Sequence, residues 1–384
     1  MKLLKKEVEK IILDDVFVAL NKIFKDLPKK KLIVKNVKDI NYGDIIVPPL
    51  IIPSNIPPNN QASMDGIGVK VKRKNYSIKG KTYLNKINKI KIKDDECFIV
   101  KTGSLISDDI KFVIPVERLF KKKNIYHVLD YQFKNKFIRK KGHIYNKNQK
   151  VKLRTNYLSL KDFISIKSIN KLNVKIKPKL KFNIISTGSE FTSKHFINPT
   201  NSEYLSKVIE KYGQSVGKNI HIKDNQKLII KEINKSNSDI TVIIGGTGKS
   251  VDDINFENFK LKINGLDLKP GRPFKFFSKS NRIYLFFPGN PCSSFVLTNI
   301  LIKSLISKYC FNRYKLEEMT MDIKDIKYNF TKLTRKSFLF AIIKNKEVNI
   351  LKNQESSNLC NLLRSNCLAY YDKTKKIKIF KLND

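Results

Sequence analysis

The chain has 384 residues, of which 41% are hydrophobic, and a formal net charge of +43. Its length indicates roughly two to four domains with cores of their own. No apolar run approaches the length of about 18 residues that a membrane span needs, and the N-terminus alternates charged with apolar residues, unlike a signal peptide. We therefore expect neither a membrane protein nor a secreted one.

The first 150 residues predict one helix followed by many short strands. Residues 4–25 carry apolar side chains near helical spacing, which predicts an amphipathic helix. A proline-rich, extended passage follows at residues 48–58. Residues 67–150 alternate short β-branched stretches with Lys, Asn and Gly, a pattern typical of short strands.

From about residue 178 the pattern changes to strands that alternate with helices. The predicted strands are residues 180–186, 240–244 and 283–287, and the predicted helices are residues 202–212, 228–234 and 293–307. This alternation predicts a parallel sheet with helices on both faces. Beyond about residue 320 the sequence returns to short β segments, at residues 338–343, 348–351 and 377–380.

The positive charge is carried almost entirely by lysine. Only nine of the 77 basic residues are Arg, the residue that binds phosphates and bases bidentately. The lysines are scattered along the chain, so we expect them to form a solvated surface, and we do not expect a nucleic-acid partner. A positive field would still raise the rate at which anionic ligands meet the protein.

Cysteine and histidine give no sign of a disulfide framework or a zinc site. The five cysteines have no paired spacing, which argues against a small disulfide scaffold and favours a reducing cytoplasm. The four histidines are dispersed, and no CxxC, HxxxH or HExxH spacing occurs.

Residues 245–253, GGTGKSVDD, follow a predicted strand and form the sharpest local feature. The GKS part resembles the end of a Walker A motif, but Ile243 stands where that motif needs Gly, so the P-loop interpretation fails. Glycines let a backbone approach an anion closely, and the carboxylates of Asp252 and Asp253 could hold Mg²⁺. The alternative is a tight strand-to-helix turn capped by one of these aspartates.

Several short motifs occur in one order along the chain. They are MDG at 64–66, TG at 102–103, STGSE at 186–190, TNS at 200–202, GGTGKSVDD at 245–253, KPGRP at 269–273 and PGNPCS at 288–293. This series resembles the molybdopterin molybdenumtransferase family, called MoeA, which includes the C-terminal domain of gephyrin. The resemblance runs from the N-terminal helix to about residue 300, and KPGRP and PGNPCS are its most specific motifs.

The resemblance implies an α/β multidomain fold, with a central three-layer α/β/α molybdopterin-binding domain, an inserted β-rich lobe and a small C-terminal β-barrel. The implied divisions are an elongated helical part at 1–26 plus 150–177, the lobe at 27–149, the central domain at 178–320 and the barrel at 321–384. It also implies a homodimer whose active cleft lies between the central domain of one subunit and the lobe of the other.

The implied reaction inserts molybdate into adenylylated molybdopterin and releases molybdenum cofactor and AMP, with an adenylylating enzyme upstream. The family's catalytic acids match Asp65, Glu190 and Asp253. Glu190 and Asp253 would hold Mg²⁺ on the substrate phosphates, and Asp65 would orient substrate or water. The implied substrate-binding residues are Thr102, Gly103, Thr187, Gly188, Asn201, Gly245, Gly246, Thr247, Gly248, Ser250, Lys269, Arg272, Pro288, Gly289, Asn290, Pro291 and Ser293.

Each of these residues also has a purely structural alternative. Asp65 could be a turn residue, and Glu190 could be an acid in the first turn of a helix. Lys269 and Arg272 suit anions, but they could equally flank a solvated turn. The ordered set as a whole favours the family.

The first half departs from the family pattern in three places. Family members usually carry Ile-Arg-x-x-Gly-Glu-Asp in the lobe, whereas here Gly142 is followed by His143 and Ile144. Ile67 replaces the usual Tyr after MDG, and the usual proline after the TG motif is missing. The contribution of the lobe is therefore the part of the resemblance that most needs testing.

Three rival interpretations remain open. GGTGxSxxD also resembles the adenylylating proteins of the same pathway, and GGxGxxxDD resembles the CinA family; MDG, KPGRP and PGNPCS favour the transferase. A basic nucleic-acid-binding protein would show salt-sensitive affinity for DNA or RNA. A catalytically silent dimeric scaffold would show no turnover.

Overall fold

The structure is a computed structural model. It describes residues 13–84, 91–130, 136–153, 159–188, 198–247, 254–256, 259–314 and 318–382. Within these ranges, β-rich segments lie on both sides of a central α/β segment, which confirms the predicted multidomain α/β fold.

The first half is mostly β. Its strands are β1 Ile33–Asn36, β2 Ile45–Val47, β3 Leu50–Ile51, β4 Gln61–Ala62, β5 Gly66–Val69, β6 Asn75–Lys81, β7 Glu96–Val100, β8 Phe112–Pro115, β9 Leu119–Lys122, β10 Ile125–Val128, β11 Ile138–Arg139, β12 Lys150–Val151 and β13 Asn173–Lys177. Its helices are α1 Val16–Lys25 and α2 Leu160–Lys167.

These strands form two main sheets. A six-stranded sheet has the order β8-β5-β7-β6-β10-β9 and makes up the lobe. A three-stranded sheet has the order β1-β13-β2, so β1 and β2 pair with the returning strand β13 and not with the lobe. The domain boundaries that the sequence predicts stay a prediction, but the hydrogen bonds group residues 33–47 with residues 173–177.

Helix α1 begins at a side-chain cap and buries one face. Asp15 is the N-cap, and its Oδ1 accepts a hydrogen bond from the Phe17 N–H at 2.9 Å. Val16, Ala19, Leu20 and Ile23, which recur at helical spacing, are all buried. The described part of the helix predicted at 4–25 is therefore helical from Val16, while residues 1–12 lie outside the described ranges.

The second half contains the central sheet and a C-terminal sheet. Its strands are β14 Lys181–Thr187, β15 Ser215–Ile222, β16 Ile240–Ile244, β17 Ile263–Asn264, β18 Lys275–Lys279, β19 Arg282–Phe287, β20 Glu318–Asp322, β21 Ser337–Lys344, β22 Glu347–Ile350, β23 Cys367–Tyr371 and β24 Lys376–Lys381. Its helices are α3 Thr200–Lys211, α4 Gln226–Lys235, α5 Pro291–Leu297, α6 Lys303–Phe311 and α7 Cys360–Arg364, and a π-helical segment, Thr298–Ile302, joins α5 to α6.

The central sheet has the order β15-β14-β16-β19-β18-β17, and its first four strands are parallel. Every residue of β16 is buried, as expected for a strand covered on both faces. Helices α1, α3, α5 and α6 pack against one face, in the largest hydrophobic cluster, and α4 packs against the other face. The three-layer arrangement that the resemblance implies is confirmed.

The C-terminal part is a five-stranded antiparallel sheet with the order β20-β24-β23-β21-β22. It packs on the start of helix α1, where the rings of Phe17 and Tyr370 meet edge to face with centroids 5.2 Å apart. The Oδ2 atom of Asp15 accepts hydrogen bonds from Lys336 Nζ at 2.6 Å and from the Tyr370 hydroxyl at 3.1 Å. One carboxylate thus ties the first described helix to two places in the C-terminal segment.

None of the helices in the described ranges has the length and apolar character that crossing a membrane would require.

Candidate functional site

Three of the predicted motifs meet at the carboxyl edge of the central sheet. In-register pairing places Ser186 beside Ile244, and Ile244 beside Phe287. The ends of β14, β16 and β19 are therefore neighbours, and they carry the STG motif, the described part of the GGTG motif and the PGNP motif. Ligands of parallel α/β sheets bind at this edge.

The glycine turn after β16 lies against the end of β14. Gly245 has a φ of +104°, and a Cβ added to it would lie 2.5 Å from the carbonyl oxygen of Thr187. Its N–H donates to the Phe287 carbonyl at 2.9 Å. Gly246 also has a positive φ, of +62°. The turn therefore needs glycine for a physical reason, because the two strand ends are too close for a side chain.

The PGNPCS motif forms the turn from β19 into helix α5. Asn290 is the N-cap, and its Oδ1 accepts a hydrogen bond from the Ser293 N–H at 3.2 Å. Pro291 occupies the first helical position, which needs no donor. Cys292 is fully buried, and burial raises the pKa of its thiol, so it is poorly suited to act as a thiolate.

Asn201 connects a second helix to this turn. It lies in the first turn of α3, and its Nδ2 donates to the Gly289 carbonyl at 2.7 Å. Between the two helix starts lies a pocket of about 220 Å³. The pocket is lined by Ser186, Thr187, Asn198, Pro199, Thr200, Asn201, Ser202, Ile244, Gly289 and Pro291.

Asp224 is a neighbour of this edge that the sequence analysis missed. It follows β15, and its Oδ1 accepts a hydrogen bond from the Thr187 hydroxyl. The Gly188 N–H donates to Ile222, the last residue of β15, at 3.1 Å. The alternation of Val216, Ile220 and Ile222 was the available signal for this strand.

A second group of predicted residues lies in the lobe. The antiparallel strands β5 and β7 pair Gly66 with Val100, which brings Asp65 close to Thr102. The Asp65 Oδ1 accepts hydrogen bonds from the Thr102 N–H at 2.6 Å and from the Thr102 hydroxyl at 2.7 Å. These two bonds, the backbone one first, lower the pKa of the exposed Asp65 carboxyl, with a smaller contribution from the charge of Lys101.

The structure does not bring every predicted residue to the pocket. Asp65, Thr102 and Gly103 are not among its described lining residues, and neither are Lys269 and Arg272. The backbone of Lys269 instead pairs with the C-terminal segment, because its N–H donates to Lys336 and its carbonyl accepts from Phe338, each at 2.9 Å. The side chains of Lys269 and Arg272 are exposed.

Five predicted residues lie outside the described ranges: Glu190, Gly248, Ser250, Asp252 and Asp253. Across the ranges that the structure does describe, no group of three His, Cys, Asp or Glu side chains forms a metal site.

In the lobe, the segment that departs from the family pattern is anchored through its backbone. Gly142 has a φ of +73°, and its N–H donates to the Pro57 carbonyl at 3.0 Å. Arg139 pairs with Gln61 through strands β11 and β4, and His143 is exposed.

Two family models match the chain. The model described as "MoeA N-terminal region (domain I and II)" matches residues 7–166, and the one described as "Probable molybdopterin binding domain" matches residues 183–308. Together they cover about three quarters of the sequence.

Curated relatives and a solved structure agree with these models. The chain is 24% identical to a molybdopterin molybdenumtransferase of Synechocystis sp., over 76% of this chain and 79% of the relative. It is 24% identical to the protein of that name in Haemophilus influenzae, over 67% and 68% of the two chains. The crystal structure of a molybdopterin biosynthesis MoeA protein from Pyrococcus horikosii superposes with a TM-score of 0.76 at 18% identity, over 97% of this chain and 99% of that one.

Proposed function

Since the chain belongs to the MoeA-like family of molybdopterin molybdenumtransferases, we propose that it catalyses the molybdenum-insertion step of molybdenum cofactor biosynthesis. In this step adenylylated molybdopterin reacts with molybdate, and molybdenum cofactor and AMP are released. The observation that carries the proposal is the pocket at the carboxyl edge of the central sheet, where the STG, GGTG and PGNP motifs meet.

The chemistry of the pocket suits a phosphorylated ligand. Helices α3 and α5 both begin there, and the positive end of a helix dipole favours an anion. The hydroxyls of Ser186 and Thr200 add neutral donors at the same pocket, whereas the Thr187 hydroxyl is already bonded to Asp224. We propose that these groups bind and orient the phosphate link of the substrate.

The proposed metal would rest on residues beyond the described ranges. Mg²⁺ prefers carboxylate and phosphate oxygens, whereas the described pocket wall supplies hydroxyl, amide and backbone groups. The nearby carboxylate of Asp224 already accepts the Thr187 hydroxyl. If Mg²⁺ binds, it would be held by Glu190 and Asp253, and it would neutralise charge on the substrate phosphates.

The lobe residues would act from a second subunit. Within one chain, no described residue of the lobe lines the pocket. We therefore propose a homodimer in which Asp65 and Thr102 of one subunit face the pocket of the other. We also propose that the protein is cytoplasmic and that an upstream adenylylating enzyme supplies its substrate.

The match over residues 7–166 favours the transferase over the rival enzymes. The adenylylating and CinA-like alternatives rest on the glycine motif of the α/β domain alone, whereas this match covers the N-terminal helix and the lobe. A turnover experiment separates the alternatives directly.

The test measures AMP release by purified protein from adenylylated molybdopterin and molybdate, with Mg²⁺ and with EDTA. We expect AMP release that needs molybdate and Mg²⁺, and we expect Asp253→Asn to abolish it without unfolding the protein. Asp325→Asn, at an exposed position in the C-terminal segment, is the matched control and should retain full turnover.

Three outcomes would contradict parts of this proposal. Full turnover by Asp253→Asn would reject the metal assignment. Adenylylation of molybdopterin from ATP would identify the rival enzyme instead. Absence of turnover by the wild-type protein, with salt-sensitive binding of RNA or DNA, would reject the enzyme altogether.

A further inference from the structure

Two contacts join helix α3 to the PGNP turn and helix α5. At the pocket, Asn201 donates to the Gly289 carbonyl at 2.7 Å. One turn further along α3, the ring of Tyr204 stacks on the ring of Phe295 in α5, with centroids 4.9 Å apart and an interplanar angle of 28°. Asn201 and Tyr204 are three residues apart and share one face of α3, so their contacts with the PGNP turn and with α5 lie along a single seam.

Asn299 extends this seam into the core. It is only 3% exposed, and its Nδ2 donates to the Tyr204 hydroxyl at 2.8 Å and to the Phe295 carbonyl at 2.9 Å. Both hydrogens of the amide group are therefore used. Its Oδ1 is buried and has no hydrogen-bond partner within the described ranges.

A buried amide oxygen without a partner destabilises the folded state. Leucine, which has a similar size, would fill the same space without that cost. Packing of the hydrophobic core therefore does not explain why an amide side chain occupies this position, so another role is expected.

The backbone at this position is also irregular. Asn299 lies in the π-helical segment Thr298–Ile302, between the regular turns of α5 and α6. Short π segments within α-helices occur frequently at functional sites. The segment lies about two turns beyond Pro291, which lines the pocket.

We propose that Tyr204 and Asn299 are a positioning pair that fixes the spacing of helices α3 and α5, and so the distance between Asn201 and Gly289 across the pocket. Neither residue lines the pocket, so the pair acts through the first turns of the two helices. This inference rests on the proposed function for its kinetic consequence, although its structural consequence can be measured separately.

The test is the double variant Tyr204→Phe/Asn299→Leu, compared with wild type. Replacing both polar partners by apolar groups of similar shape can leave stability nearly unchanged. We expect the free energy of unfolding to be unchanged or higher, while kcat/KM for adenylylated molybdopterin falls by about 10- to 100-fold, mainly through KM. A displacement of about 1 Å in a binding site can have effects of this size.

Amide hydrogen exchange provides a readout that does not need turnover. We expect faster exchange at residues 203–208 of α3, with wild-type protection in the C-terminal sheet. Tyr204→Phe alone, which keeps the stacked ring, should show the same change to a smaller degree, and it serves as the second variant if the double variant does not fold.

Tyr309→Phe is the matched control, because Tyr309 in α6 is also buried and its hydroxyl donates to the Pro178 carbonyl at 2.7 Å, away from the pocket. It should lose stability and keep the wild-type KM. Wild-type KM and exchange in the double variant would overturn the positioning role. If the wild-type protein shows no turnover, the proposed function fails. The positioning role can still be tested in that case, because unchanged amide exchange at residues 203–208 of the double variant would overturn it.

Discussion

The carboxylate of Asp65 accepts two hydrogen bonds from Thr102, one from the backbone N–H at 2.6 Å and one from the hydroxyl at 2.7 Å. The two residues are 37 positions apart in the sequence. Each belongs to a short motif with little specificity of its own, MDG and TG. Strand pairing joins these motifs into one unit, in which two hydrogen bonds orient the acid and lower its pKa.

We expect Thr102→Val to raise the pKa of Asp65 part of the way towards its usual value. The variant removes the hydroxyl bond but keeps the backbone N–H, which is the larger cause of the lowered pKa. NMR titration of the Asp65 carboxyl would measure this. An unchanged pKa in Thr102→Val would show that the hydroxyl does not stabilise the carboxylate.

We expect Gly245→Ala to lower the free energy of unfolding by about 2–3 kcal/mol, because the new Cβ would clash with a carbonyl and φ is positive. The Cβ would lie 2.5 Å from the Thr187 carbonyl oxygen, so the ends of β14 and β16 must separate. AMP release should fall as well. Urea denaturation and turnover assays would measure both effects.

Gly289→Ala is the control for this variant. Its added Cβ would lie 3.6 Å from the Cα of Gly245, an ordinary contact distance. The free energy of unfolding of Gly289→Ala should therefore stay close to that of wild type. Equal losses in the two variants would show that the close approach of the strand ends is not what requires glycine at 245.

We expect Lys269→Gln and Arg272→Gln to raise KM for anionic substrate without changing stability. Both side chains are exposed, and the structure holds Lys269 through its backbone. If the positive charges of these side chains attract the substrate, the effect of each substitution on KM should become smaller as salt is added. Steady-state kinetics at two ionic strengths would test this, and wild-type KM values in both variants would remove these residues from the site.

We expect Asp15→Asn to lower the free energy of unfolding by about 1 kcal/mol near neutral pH, because Asn can still cap helix α1 but cannot pair with the Lys336 cation. Burial opposes ionisation of Asp15, yet the hydrogen bonds from Lys336 and from the Phe17 N–H outweigh it, and the pKa of Asp15 is lowered. The stabilisation is therefore present above the usual Asp pKa and is lost as the pH falls through the lowered value.

The hydrogen bond from Lys336 to Asp15 also raises the pKa of Lys336. The stabilisation of the folded state by this ion pair is therefore present below the usual Lys pKa of 10.5, and it is lost as the pH rises through the raised pKa. Urea denaturation at several pH values would give the free energy of unfolding of wild type and of Asp15→Asn. The difference between the two proteins should be largest between the usual pKa values of Asp and Lys. A difference that does not depend on pH would contradict the ion-pair explanation.

The sequence predicted strand β16 of the central domain well because that strand is buried along its whole length and almost entirely apolar. Residues 240–244 were predicted as a strand, and the structure has Ile240–Ile244. The helix predicted at 293–307 begins two residues earlier in the structure, because Pro291 can occupy the first helical position. Edge strand β15 was missed because its exposed residues weaken the apolar pattern, and Asp224 was missed with it.

Contacts between distant segments were beyond the reach of sequence patterns. The motifs identified the residues at the carboxyl edge of the central sheet. No pattern in the neighbouring sequence indicated that Lys269 pairs with the segment near Lys336. Asn299 lies in a run of apolar residues that predicts an ordinary buried helix. Its bond to Tyr204 depends on how two helices pack, which is a property of the folded chain.

The aromatic contacts of helix α1 have a consequence for synthesis of the protein. Phe17 packs on Tyr370 and Phe380, and Asp15 bonds to a residue 355 positions later. During translation the helix leaves the ribosome long before these partners exist. Residues of the central domain can pack on the buried face of the helix first, but the ring of Phe17 stays uncovered until Tyr370 and Phe380 have been synthesised.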